Sequence, residues 1–110
     1  MSSSGDAGPF LNVRVEPRAD GGRTVQGEGE IDLATAPQLE RALADAASGV
    51  SCVGVDLSGV RFIDSTGLRV LLLSQQSVRA TGTDLCVTSA SEVVRRLFDL
   101  TGTTAQLSGG

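Results

Sequence analysis

The sequence has no histidine, no lysine and no tyrosine, so arginine alone carries its positive charge. Without histidine or lysine the chain cannot assemble a Ser–His–Asp triad, a phosphate-gripping P-loop lysine or a Schiff base. Cysteine is scarce as well. Cys52 and Cys86 stand alone at a spacing that matches no zinc finger, and no metal or cofactor is expected. Both read as small buried residues on strands of a chain kept reduced. Aromatic residues make up 3% of the chain, so Val, Leu and Ala must build the core. No apolar run reaches the length of a membrane span, and the opening MSSSGDAGP has neither a basic nor an apolar segment of the kind an export signal needs. A cytoplasmic location is therefore expected. A net charge of -4 with no basic cluster argues against nucleic acid or an anionic membrane as partner. The titratable groups that remain are carboxylates, thiols and guanidiniums, a poor cast for an enzyme. Asp32 with Asp64 is the one carboxylate pair that an enzyme reading has to offer.

At 110 residues the chain is expected to form one domain over residues 10–107, with a Ser/Gly-rich disordered tail at 1–9 and a second tail at 108–110. Its organising stretch is VGVDLSGVRFIDSTGLRVLLL, residues 53–73. Val50 to Leu57 is short, rich in Val and bounded by Gly49 and by Ser58-Gly59, which predicts a buried strand. Gly67 to about Ala80 is longer and Leu-rich, with Leu68, Leu71, Leu72 and Gln75/Gln76 at helical spacing, which predicts a helix. Asp64, Ser65 and Thr66 lie between, and each has the side chain of a helix N-cap. A hydroxyl at the mouth of a helix, in a loop leaving a buried strand, is well placed to carry or meet an anion.

The flanking segments follow the same logic. Leu11, Val13 and Val15 alternate with polar residues, predicting a half-exposed strand, and PRADGG at 17–22 is turn chemistry. Arg23 to Ile31 is the return strand; Gly27 and Gly29 within it predict a bulge or a close backbone approach. Thr35 is a candidate N-cap with Pro37 in the first turn, and Leu39, Ala42, Leu43 and Ala46 follow at helical spacing. Asp32, just before, has two readings, a loop-capping carboxylate or a partner contact. Asp84 to Thr88 is another short buried strand. Ser89 to Glu92 opens a last helix with Val93, Val94, Leu97, Phe98 and Leu100 as its apolar positions, stopped at Thr101-Gly102. Leu107 is the only large apolar residue of the tail, enough for a terminal turn or strand. The tally is a hairpin followed by helix–strand–helix–strand–helix, an α/β chain with a small mixed sheet of four to five strands.

Three stretches now stand out together: Gly29-Glu30-Ile31-Asp32-Leu33-Ala34-Thr35-Ala36, then Asp56 to Leu68 (DLSGVRFIDSTGL), then Arg96 to Gly102 (RLFDLTG). In this order and spacing they resemble the STAS domain, and within it the bacterial anti-sigma-factor antagonists. The resemblance runs from about Phe10 to Leu107. It implies a small sheet with helices packed on one side. It implies that the partner is a kinase-type anti-sigma factor, an ATP-binding serine kinase whose capture releases a sigma factor. It implies that this kinase phosphorylates the serine of the Asp-Ser-Thr-Gly motif, here Ser65, and that a PP2C-type phosphatase removes the mark. Asp32, Asp64, Thr66 and Gly67 would then share the partner-binding surface, with Thr66 the second choice of acceptor. A different outcome within the same family is a non-catalytic subunit or small-ligand-binding module of a larger complex. On residue chemistry alone, Ser65 reads first as an unmodified N-cap, Gly67 as a plain helix-start glycine, and Arg61 and Arg69 as solvated cations flanking the loop; it is the resemblance that turns Ser65 into the acceptor.

Overall fold

The computed structural model describes residues 10–108; the tail read from sequence at 1–9 and the last two residues of the one at 108–110 lie outside them, while Ser108 ends the last helix, residues 104–108. The elements run β1 (Leu11–Pro17), β2 (Arg23–Ile31), α1 (Ala36–Ala46), β3 (Cys52–Ile63), α2 (Ser65–Arg79), β4 (Asp84–Ala90), α3 (Glu92–Thr101) and α4 (Thr104–Ser108). The sheet order is β1-β2-β3-β4. The first pair is antiparallel and the next two are parallel. Both crossovers step the same way across the sheet, and the right-handed rule then puts α1 and α2 on one face. They do pack on each other and on the strands.

The two faces of the sheet differ in chemistry as the period of two requires. Val25, Val53, Val55, Leu57, Leu85 and Val87 form a buried apolar layer, completed by Leu39, Leu43, Leu68 and Leu71 from α1 and α2. On the other face Asn12, Arg14, Gln26 and Glu28 line a shallow polar depression. Arg23 ties α1 to the sheet, because its guanidinium donates to the carbonyls of Ala46 and Ser48 at 2.9 and 2.7 Å. Those are carbonyls a helix end would otherwise leave unpaired.

The glycines of β2 act as their positions suggested. The β2–β3 register slips between Gln26 and Glu28 and again between Gly29 and Glu30. Gly29 has φ +118°, and a Cβ there would lie 2.5 Å from the Phe10 carbonyl oxygen. Only glycine tolerates both.

Several boundaries differ from the sequence reading. β3 does not stop at Ser58-Gly59 but runs on to Ile63. Its second half pairs with β2 across the bulges, and the Asp56 carboxylate accepts from the Ser58 N–H at 3.0 Å and its hydroxyl at 2.7 Å. Local polarity is overridden by a parallel partner. β4 likewise extends to Ala90. Thr35 sits at the N-cap position of α1 but makes no side-chain cap. In α3 only Val94 and Phe98 are buried, whereas Val93 and Leu100 face outward. Cys52 and Cys86 lie on strands but are half-buried. Burial pushes the Cys86 thiol above its ordinary value, aided by the neighbouring Asp84, which keeps it protonated and a weak nucleophile. The tail forms the short helix α4 rather than a strand, and Leu107 is fully buried. Buried Gln75 of α2 fastens it: the side-chain amide donates to the Leu85 carbonyl at 2.8 Å and to the Gln106 carbonyl at 2.9 Å. The other end of that side chain, Oε1, is buried with no partner among the described residues.

Candidate functional site

The carboxyl ends of β2 and β3 lie side by side, with Ile31 paired to Ile63. The Asp64 N–H donates to the Ile31 carbonyl at 3.3 Å, so the loop entering α1 and the start of α2 form one surface. All five residues singled out in sequence fall in this region, with different roles.

Asp64 is the N-cap of α2. Its Oδ1 accepts from the N–H groups of Thr66 and Gly67, at 3.0 and 3.1 Å. The helix therefore begins at Ser65, two residues earlier than the sequence suggested, and Ser65 is its first residue rather than its cap. That resolves the three-way choice of cap and frees the hydroxyl. Ser65 is exposed, and Thr66 is half-buried. Replacing Asp64 with alanine should cost about 0.5–2 kcal/mol through the lost cap. Urea titration of Asp64→Ala against the parent checks this; an unchanged midpoint would show that the cap contributes nothing.

Asp32 caps its own loop. Its Oδ1 accepts from the Ala34 N–H at 2.9 Å and the Thr35 N–H at 3.1 Å. Thr35, buried, locks the turn from the other side: its hydroxyl donates to the Glu30 carbonyl at 2.8 Å and accepts from the Asp32 N–H at 3.0 Å. Asp32 and Asp64 thus do the same work at the ends of adjacent strands, each carboxylate holding the turn that follows it. Among the described residues no group of three or more metal-ligating side chains converges, there or elsewhere.

Gly67 is buried, and its reason lies inside the fold. A Cβ there would stand 2.6 Å from Cγ2 of Ile31 and 2.9 Å from Cγ1 of Ile63. The first turn of α2 rests directly on the two strand ends, and this contact sets the height at which Ser65 is displayed. The sequence offered the glycine but not its two isoleucine neighbours.

Of the flanking cations, Arg61 is engaged. It pairs with Glu30 at 2.7 Å and lies over the Phe10 ring, 5.5 Å from its centre. The Arg61 hydrogen bond, then that of the Phe10 N–H, holds the Glu30 carboxyl below its ordinary range. Arg69 is exposed on α2, one turn after Ser65. Two apolar residues of this surface stand in the sequence only as members of its motifs. Leu33 is 77% exposed and Phe62 is 47% exposed. A large apolar residue inside the turn chemistry of Asp32 to Thr35 was the signal available for the first.

Compared with known families, residues 11–107 match the model of the STAS domain. The chain belongs to the STAS domain family. A STAS relative from Bacillus subtilis (strain 168), an anti-sigma-B factor antagonist, is 38% identical over 74 residues, covering 67% of this chain and 68% of its own. The crystal structure of an anti-sigma factor antagonist from Mycobacterium paratuberculosis superposes with a TM-score of 0.78 at 33% identity, covering 89% of this chain and 83% of that one. The anti-sigma factor antagonist SpoIIAA in its unphosphorylated form gives a TM-score of 0.71 at 19% identity, over 84% of this chain and 83% of that one. At that identity SpoIIAA speaks to the fold alone, and the four-stranded mixed sheet with its helices is a SpoIIAA-like STAS fold. Among the described residues of the domain, no helix is long and apolar enough to cross a membrane.

Proposed function

We propose that this STAS domain is a cytoplasmic anti-sigma-factor antagonist, switched by phosphorylation of Ser65. It binds a kinase-type anti-sigma factor and so frees a sigma factor. The observation that carries the reading is the exposed Ser65 at the first position of α2, with Asp64 rather than Ser65 performing the capping. The names of its relatives support the choice of partner. In the covalent step a bond forms between Ser65 Oγ and the γ-phosphorus of ATP, the bond to the ADP oxygen breaks, and the serine proton passes to a base on the kinase. A PP2C-type phosphatase returns the hydroxyl by hydrolysis. The domain contributes the acceptor and its display, and no catalysis of its own.

Incubation with the anti-sigma kinase and ATP should add one phosphate, lost in Ser65→Ala and kept in Thr66→Ala. Intact-mass spectrometry reads both. Labelling that survives Ser65→Ala would move the acceptor to another residue, Thr66 first.

One feature favours a second reading, a small-ligand module. A groove of about 650 Å³ runs between β4 and the last two helices, lined by residues that include Cys86, Thr88, Arg95, Phe98 and Thr104. Its volume is in the range of ligand sites. A small molecule retained by the purified protein in native mass spectrometry, with no labelling at Ser65, would select this reading.

A further inference from the structure

We infer that Leu33 is the apolar anchor of the partner interface, and that it seats in an apolar pocket of the anti-sigma factor that brings its nucleotide to Ser65. The inference rests on the reading of Ser65 as the acceptor and extends it to how the kinase is gripped. Three observations carry it.

The first is exposure where burial was available. Leu33 is 77% exposed, although the core beneath takes Ile31, Ala36 and Leu39 from the same stretch. The second is rigidity. Leu33 stands on a turn closed by Asp32, Thr35 and the Glu30 carbonyl, with a further bond from the Ala36 N–H to the Asp32 carbonyl at 2.8 Å. An apolar side chain held out on a fixed turn loses little freedom on binding, so more of its burial appears as affinity. The third is continuity with the acceptor. Ile31, two residues before Leu33, accepts a hydrogen bond from Asp64, the residue before Ser65. Adding chain lengths, the two Cα atoms are within roughly 19 Å of each other. An ordinary interface covers about 800 Å² per partner, a disc some 32 Å across. A kinase that brings its nucleotide to Ser65 with a footprint of that size has room to cover Leu33. Phe62, 47% exposed at the end of β3, lies on the opposite side of its strand from buried Ile63 and is a second exposed apolar residue near the acceptor in sequence. Arg61, beside Phe62, is paired with Glu30, and the Asp32 carboxylate beside Leu33 is taken up by the Ala34 and Thr35 N–H groups.

Burying one leucine fully corresponds to roughly ten- to a hundredfold in affinity. The test measures the dissociation constant of the ADP-loaded anti-sigma factor from the same organism for the parent, Leu33→Ser and Leu33→Met, with Ser65 labelling followed in parallel. Leu33→Ser should weaken binding about ten- to a hundredfold. Leu33→Met should stay within about threefold. Both should keep the parent's melting temperature, because Leu33 is outside the core. An unchanged constant for Leu33→Ser while Ser65 is still labelled overturns the anchor and leaves the acceptor standing. Loss of affinity in Leu33→Ser with no labelling of Ser65 in the parent overturns the acceptor and keeps the anchor. If the parent is a dimer that Leu33→Ser converts to a monomer, the patch belongs to a second copy and the inference fails.

Discussion

Phosphorylation of Ser65 should weaken binding to the anti-sigma factor by roughly a hundredfold or more, while moving the melting temperature by no more than about 5 °C. The two halves of this result have separate causes. Within the free domain, the added charge of about -1.5 to -2 meets small opposing terms. The positive end of α2 favours it by about 0.3–1 kcal/mol. Arg69, four residues on along the same helix, adds about 0.2–0.5 kcal/mol. The Asp64 carboxylate beside it opposes by a comparable amount, and that carboxylate already holds the Thr66 and Gly67 N–H groups a phosphate would otherwise claim. The net is under about 1 kcal/mol, so the fold is left nearly as it was. At an interface the balance changes. A dianion stripped of water without a partner costs several kcal/mol, and each 1.4 kcal/mol is about tenfold in affinity. Calorimetric titration of the anti-sigma factor with free and phosphorylated protein, alongside melting curves of each, checks both halves. A large melting shift would make the mark a conformational switch rather than an interfacial one.

Replacing Gly67 with valine should destabilise the domain by about 3 kcal/mol and reduce Ser65 labelling as well. Helix propensity does not decide the sign, because valine gains little over glycine there. Packing does. The first added carbon would fall 2.6 Å from Ile31 and 2.9 Å from Ile63, and the branched methyls need still more room. Both neighbours are buried β-branched side chains at strand ends, with little freedom to turn aside. Relief comes by lifting the first turn of α2, which moves Ser65 with it. The pairing with Ile31 gives a sharper check. Ile31→Ala opens the space, so the double variant should lose less stability than the two single losses added, by about 0.5–3 kcal/mol. Urea denaturation of the four proteins measures this coupling; strict additivity would show that the two residues do not press on each other.

The same contact shows what was legible in the sequence. The order of strands and helices up to α3, the bulged β2 and the approximate start of α2 followed from periodicity, glycines and cap chemistry, all of them local signals. The second half of β3 did not, because Ser58-Gly59 reads as a stop until β2 is laid beside it. The choice among Asp64, Ser65 and Thr66 as cap was a tie of propensities, broken only by how the chain leaves Ile63. Gly67 was visible but its cause was remote, 36 positions away in Ile31. Val93 and Leu100 entered the apolar tally of α3, yet that helix touches the core along the narrow line of Val94 and Phe98. Leu33 stands inside a motif, while its outward direction depends on the turn that Asp32 and Thr35 close.

The single amide of Gln75 that serves both Leu85 and Gln106 has a practical consequence for anyone shortening or fusing this protein. Trimming the final turn would remove the Gln106 carbonyl to which one Gln75 N–H donates and open the seat of Leu107, leaving oily surface in water. Such a shortened chain should clump on heating, and an attached tag belongs after Ser108, never in place of the residues before it.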